Sequence, residues 1–253
     1  MLISVITVCF NSSCYIESAI KSVLSQDYDE VEYIIIDGGS TDGTLDIIKQ
    51  YRTHITHLVS ESDSGIYDAM NKGLKIATGD VISILNSDDF YMDSNVLSRV
   101  SDLFSHNEKI DLILGGVDFI HPKDLNSPVR HFPSKNFKPW KMRFGFMPPH
   151  PGAFIKRETY LEVGYYRTNY LIASDFDWFV RSLFVHECNF LVVDDVYVRM
   201  RVGGVSTSGF KASYISSKEM SLSLSTQGIF SSFVLVSVRI IPKFFDLVWR
   251  RFK

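Results

Sequence analysis

Four short apolar runs, the first three each followed by a stretch with helical spacing, fill the first ninety residues and restrict the fold more than any other feature. Leu2 to Val8 reads as a central strand, rich in β-branched residues. Tyr15, Ile16, Ala19, Ile20, Val23 and Leu24 then recur at the period of an amphipathic helix that runs to about Ser25. Val31 to Ile36 is a second strand, and Leu45, Ile47, Ile48 and Tyr51 mark a second helix. His57 to Ser60 is a short third strand, Ile66 to Ala77 a third helix, and Val81 to Leu85 a fourth strand that follows the break at Gly79. Strands that alternate with helices at these intervals form βαβ units, and such units build a parallel sheet with helices on its faces. The expected fold class is α/β, with a mostly parallel central sheet.

Beyond Phe90 the alternation loosens. Val96 to Phe104 reads as a helix and Asp111 to Val117 as a strand. Residues 121–149 carry Pro122, Pro128, Pro133, Pro139, Pro148 and Pro149 and read as a long irregular insert, a length usual for lids and binding segments. Gly152 to Ile155 is an expected strand, Phe176 to Phe184 a helix and Phe190 to Val193 a last strand. From about residue 210 the chain turns Ser-rich and helical. The expected domains are 1–209, divided at residue 90, and a C-terminal helical appendage over 210–253.

Composition narrows the class. With 45% hydrophobic and 13% aromatic residues in 253, the chain buries a sizeable core and is not disordered. A net charge of −3 argues against a general nucleic-acid binder. Cys9, Cys14 and Cys188 show no metal-ligand spacing, and an odd count makes a poor disulfide framework, so a reducing compartment is expected. The N-terminus reads as a strand and not as a signal peptide, and no run of 18 apolar residues indicates a spanning helix.

The fourth strand ends abruptly in Asn86, Ser87, Asp88 and Asp89. Ligands of open α/β sheets bind just outside the carboxyl ends of strands. Adjacent carboxylates there repel unless a cation or donors compensate them, and Mg²⁺ takes one or two carboxylates together with substrate phosphates. The stretch therefore suits a metal–diphosphate site; it suits a helix cap or loop turn equally. Asp37, Gly38 and Gly39 end the second strand, where glycines let the backbone approach a ligand closely. Their spacing is not G-x-G-x-x-G and they follow the wrong strand for a dinucleotide fingerprint; a phosphate-binding G-x-x-x-x-G-K-[ST] is absent too. A tight βα turn capped by Thr41 or Asp42 is the plainer alternative.

Taken together, Phe10-Asn11-Ser12, Asp37 to Thr44, Glu61 to Gly73, Ala77 to Asp80 and Leu85 to Asp89 resemble, in order and spacing, a family 2 glycosyltransferase of the GT-A fold. The similarity runs over residues 3 to 205. It implies a bacterial enzyme of O-antigen, capsule or exopolysaccharide synthesis. A Q-x-x-R-W motif, carried by processive relatives, is absent, which favours transfer of a single sugar.

The resemblance also implies roles. Val8, Phe10 and Asn11 fall at the nucleotide, with Phe10 stacking on the base, and Asp37 falls at the acid that contacts uracil; Gly39 accompanies it. Asp63, Asn71 and Lys72 belong to a second nucleotide-side stretch. Asn86, Ser87 and Asp88 continue the nucleotide-sugar site, while Asp89, with Asp88 beside it, matches the position that holds Mn²⁺ or Mg²⁺. Asp175, ahead of Phe176 and Asp177, matches the acid that takes the acceptor hydroxyl proton, and an N-cap role for it is compatible with that. His150 and Asp177 fall on the acceptor side. Arg201, within Arg199 to Ser206, reads as part of a flexible loop that contacts phosphate.

The end of the chain joins an apolar run, Ile229 to Val238, to Arg239, Lys243, Arg250, Arg251 and Lys253 set among aromatic and aliphatic residues. Such a segment reads as an interfacial anchor; a helix packed on the catalytic domain is the alternative. The expected function is an inverting transferase that moves a hexose or N-acetylhexosamine from a UDP-sugar to a lipid-linked saccharide, at the inner face of the cytoplasmic membrane. The rival readings are a nucleotidyltransferase that forms nucleotide sugars and a non-catalytic UDP-binding assembly partner.

Overall fold

A computed structural model of the protein describes residues 1–203 and 209–240. The chain divides into two compact units, the first made of residues 1–136, 148–168 and 188–202 and the second of 137–147, 169–187 and 203–253.

The first unit is built on one nine-stranded sheet in the order β3-β2-β1-β4-β8-β6-β9-β5, with β7 attached to β6. Its strands are β1 (Ile3–Cys9), β2 (Val31–Asp37), β3 (His57–Ser60), β4 (Val81–Asn86), β5 (Asp89–Tyr91), β6 (Leu112–His121), β7 (Asp124–Phe132), β8 (Ala153–Lys156) and β9 (Phe190–Arg201). Helices α1 (Ile16–Leu24), α2 (Thr44–Gln50), α3 (Ile66–Ile76), α4 (Val96–His106) and α5 (Arg157–Val163) complete it. All seven residues of β1 are buried, as a central parallel strand covered on both faces must be. It pairs in parallel with β2 on one side and with β4 on the other.

That order creates a switch point. From β1 the chain builds outward through β2 and β3, then returns to lay β4 on the opposite side. Cys9 lies opposite Asp37, Asp37 opposite Ser60, and Val8 opposite Asn86, so all four strands end at one level. A crevice at such a point receives ligands in open α/β sheets. The α/β expectation is met, with the mostly parallel sheet curling through antiparallel pairs at β8, β7 and β5.

Three sequence expectations change. Residues 124–132, read as irregular, form β7, antiparallel to β6. Pro128 is tolerated because β7 is an edge strand and the register shifts beside its partner Ile120. The last strand extends past Val193 to Arg201, because β9 finds partners in both β6 and β5. Arg199 and Arg201 are therefore strand residues and not part of a flexible loop; Gly204, Val205 and Ser206 lie outside the described residues.

The second unit contains a 3₁₀ turn (Pro139–Phe144), α6 (Ser174–Val180), a π turn (Arg181–Val185), α7 (Gly209–Thr226) and α8 (Phe233–Ser237). Helix α7 packs on both α6 and α8, and α8 packs on the 3₁₀ turn. Among the described residues no helix is long and apolar enough to cross a membrane. The basic, aromatic end of the chain, residues 241–253, lies outside them.

A candidate nucleotide-sugar site at the carboxyl edge of the sheet

The loop after β1 is the first wall. Phe10, just past the strand, is 62% exposed, so the ring does not serve the core. Asn11 adopts φ 48°, a region Asn tolerates better than most residues. Its N–H donates to Ser40 Oγ (2.8 Å) and its Oδ1 accepts from the Thr41 N–H (2.9 Å), which ties the β1–α1 turn to the loop after β2. Ser12 and Ser13 add bonds to Thr44 and Asp42. Asn11 is thereby a brace of the site wall. Val8 is buried inside β1, and its carbonyl accepts the Ser87 N–H.

Asp37 is fully buried at the end of β2. It accepts from the N–H groups of Gly39 and Ser40, from Ser60 Oγ (2.7 Å) and from the Cys9 thiol. A carboxylate offers about four lone-pair positions, and here they are taken up in shaping the turn. Gly39, at φ 83°, makes the turn that lets its own N–H reach back. Burial, then the charge and hydrogen bond of Asp37, push the Cys9 thiol up, so it stays protonated as a donor.

Asp63 provides the more open carboxylate. Its Oδ1 accepts from the Gly65 N–H, while Oδ2 lies 2.4 Å from where a Cβ on Gly38 would stand, with the Phe10 ring 3.4 Å from the same point. Gly38 thus leaves the Asp63 carboxylate and the Phe10 face side by side. Lys72 does not reach this point: its ammonium donates to the Ser62 carbonyl (3.0 Å) and pairs with Glu61 (2.9 Å), holding the 61–63 loop. Asn71 is buried, and both ends of its amide bond the backbone of Tyr166. The expected nucleotide contact from Asn71 is therefore replaced by a structural one.

Across the switch point, Ser87 Oγ donates to Ser12 Oγ, closing the floor between β1 and β4. Asp89 is fully buried at the start of β5. Asn86 Nδ2 donates to its Oδ2 (3.0 Å), but Asp89 Oδ1 and Asn86 Oδ1 are buried with no hydrogen-bond partner. Burial, and after it the Asp88 charge, hold the Asp89 carboxyl well above the usual carboxylate range. Burial raises Asp88 as well, against the pull of Arg201. Arg201 sits between the rings of Tyr15 and Phe90, donating to the Asp88 carbonyl (2.5 Å) and to Ser18 Oγ (2.9 Å). It supports the two-carboxylate turn from below.

Two orphaned oxygens, one of Asn86 and one of Asp89, beside the Asp88 carboxylate are a donor set a hard divalent cation takes, since an unmet buried oxygen is costly unless something occupies it. Among the described residues no cluster of three or more His, Cys, Asp or Glu could hold a metal alone. Asp88, Asp89 and Asn86 thus fit a cation whose remaining ligands are substrate oxygens and water. Sequence reading had no means of finding the role of Arg201 as a support, because the contact spans 113 residues.

The acceptor-side residues divide. His150 is buried, with Nε2 on the Tyr166 hydroxyl (2.7 Å), and that hydroxyl also meets Tyr160 (2.8 Å). Burial lowers His150 to about 4. It belongs to an internal network and not to a pocket wall. In the second unit, Asp177 is fully buried between Arg181 Nε (3.0 Å) and Ser223 Oγ (2.9 Å), a strut with no surface to offer an acceptor. Asp175 is half-buried in the first turn of α6, with its Oδ1 on the Phe176 N–H.

Glycosyl transferase family 2 matches residues 4–164. An uncharacterized glycosyltransferase of Mycobacterium tuberculosis is 30% identical over 188 residues, covering 73% of this chain and 70% of its own. TuaG of Bacillus subtilis, a putative teichuronic acid biosynthesis glycosyltransferase, is 45% identical over 93 residues, 35% of this chain and 36% of its own. Among solved structures, Staphylococcus aureus TarS 1-349 in complex with UDP-GlcNAc superposes with a TM-score of 0.68 at 18% identity, over 88% of this chain and 66% of that one. That likeness shows the fold.

Proposed function

The chain belongs to glycosyl transferase family 2 and is a glycosyltransferase of the GT-A fold; from there we propose that it transfers one hexose or N-acetylhexosamine from a UDP-sugar to a lipid-linked saccharide, with inversion. The observation that carries the reading is the buried, unpartnered Asp89 Oδ1 beside Asp88 at the switch point of the sheet. Phe10 offers an exposed face for base stacking, and Asp63 is the carboxylate best placed to accept from the base. Asp88, Asp89 and Asn86 would hold Mn²⁺ or Mg²⁺ against the diphosphate. Bound there, the cation supplies Lewis-acid stabilisation of charge that develops on the departing UDP. Asp175, as an ionised carboxylate, accepts the proton of the attacking acceptor hydroxyl, the part of a general base.

The UDP-GlcNAc complex of TarS supports a UDP-sugar donor, and the teichuronic acid name of TuaG supports a cell-surface polymer as the product. Tyr214, Phe230, Phe233 and Val234 are exposed on the second unit, and basic and aromatic residues follow them in sequence. This favours contact with the inner face of the cytoplasmic membrane, where a lipid-linked acceptor resides. The deciding experiment is UDP release from a panel of UDP-sugars by membranes that bear lipid-linked acceptor, with Mn²⁺, with Mg²⁺ and with chelator. Cation-dependent release confined to one donor is expected. A chain that binds no UDP in any of these conditions overturns the reading.

A further inference from the structure

The Ser-rich helix α7 has a definite task inside its own unit. Its Glu219 carboxylate accepts three successive backbone N–H groups, those of Leu171 (2.7 Å), Ile172 (2.9 Å) and Ala173 (2.9 Å). These three residues lead directly into α6 and end two positions before Asp175. One turn farther on, Ser223 donates to Asp177 inside α6. A carboxylate gripping three consecutive amides fixes both the position and the direction of that segment.

A second side chain braces α7 itself. Arg239, after α8, is half-buried, with Nη2 donating to Ser216 Oγ (3.0 Å) and Ser217 Oγ (3.3 Å). Its Nε is buried without a partner. The stem lies against Gly145, where a Cβ would stand 2.5 Å from Arg239 Cδ and 2.6 Å from the Val236 carbonyl, at φ +75°. Only glycine leaves room there. Burial disfavours the Arg239 charge, and the field of Asp175 opposes that effect. Within α6 and α7, Asp177 is engaged with Arg181 and Glu219 with its three amides.

We propose that Glu219 is a positioning residue for Asp175, fixing the segment that presents it, while Arg239 braces the helix that carries Glu219. The inference rests on the reading of Asp175 as the base. It makes the C-terminal helices part of the acceptor-side machinery, whatever else their surface does. It also accounts for three serines of α7, since Ser216, Ser217 and Ser223 are buried hydrogen-bonding partners and not a solvated face.

The test uses the full chain labelled with ¹⁵N. In Glu219→Gln the amides of residues 171–173 exchange at least tenfold faster, and kcat falls about tenfold with an unchanged KM for the donor the panel selects. Unchanged exchange of those amides, or a wild-type kcat in Glu219→Gln, overturns the proposal. Failure of Glu219→Gln to fold overturns it too, by reducing the residue to a support of the fold. Full transfer by Asp175→Asn would instead remove the base assignment, whereas an inactive Asp175→Asn beside a wild-type Glu219→Gln would sink the positioning claim alone.

Discussion

Asn71 and the backbone of Tyr166 hold one another through two hydrogen bonds, Nδ2 donating to the Tyr166 carbonyl (2.8 Å) and Oδ1 accepting its N–H (3.0 Å). The amide spans 95 residues of sequence and joins α3 to the segment after α5. A peptide group in that setting has no water to fall back on. The side-chain amide meets both of its polar groups, which is the accounting every buried backbone group obeys.

Asn71→Ala removes both bonds to the Tyr166 backbone. Two buried hydrogen bonds at about 1 kcal/mol each predict a loss of roughly 2 kcal/mol in stability, visible as a melting temperature lower by several degrees. The affinity for UDP should stay within twofold of wild type. A large loss of UDP affinity with unchanged melting would return Asn71 to the nucleotide site.

The neighbouring network predicts a pH dependence. Buried His150 is held neutral, its pKa lowered from 6.5 to about 4. Below pH 6.5 the unfolded chain takes a proton that the native chain refuses, so stability falls as the pH drops from 6.5 toward 4 and flattens beneath it. One pKa unit corresponds to 1.36 kcal/mol, so the full window is worth about 3 kcal/mol. Urea melts of wild type and His150→Gln between pH 4 and 7 should show this slope in the first and its loss in the second.

Most of the parallel half of the sheet was legible in the sequence, because β1, β2 and β4 are continuous apolar runs bounded by turn residues and carry their burial in their composition. Strand β7 was hidden: Pro128 reads as a breaker unless one knows that it stands at an edge, beside a register shift. The reach of β9 to Arg201 was hidden because its outer half owes its order to β5, a three-residue strand no local pattern reveals. The same distinction governs the site. Asp88 and Asp89 announce themselves as paired carboxylates at a strand end, whereas the engagement of Asp37, Asn71 and Asp177 depends on partners that arrive from elsewhere in the chain. Burial separates side chains that shape a site from those left open to a ligand, and sequence types alone do not.

Phe10 is the clearest case of an open side chain. With the ring 62% exposed, Phe10→Ala should leave the melting temperature within about a degree, since surface changes seldom exceed 0.5 kcal/mol. Loss of stacking on a base, worth roughly 1–3 kcal/mol, predicts UDP binding weaker by about tenfold or more. Calorimetric titration of UDP into both proteins decides it. Equal affinities would remove Phe10 from the nucleotide site.

Arg201 tests the two-carboxylate turn without touching either carboxylate. Its fork joins the Asp88 carbonyl to Ser18 while Tyr15 and Phe90 cover its faces. Lysine retains the charge but has neither the planar faces nor the two-pronged reach, so Arg201→Lys should loosen the turn that presents Asp88 and Asp89. Groups that orient metal ligands typically carry 10–100-fold in metal affinity. Mn²⁺ titrated in the presence of UDP should therefore bind at least tenfold more weakly to Arg201→Lys, while UDP without metal binds as before. If the Mn²⁺ affinity is unchanged, the guanidinium merely fills space beneath β5. If UDP binding without metal collapses as well, Arg201 is gripping the diphosphate itself, which is the role its sequence context first gave it.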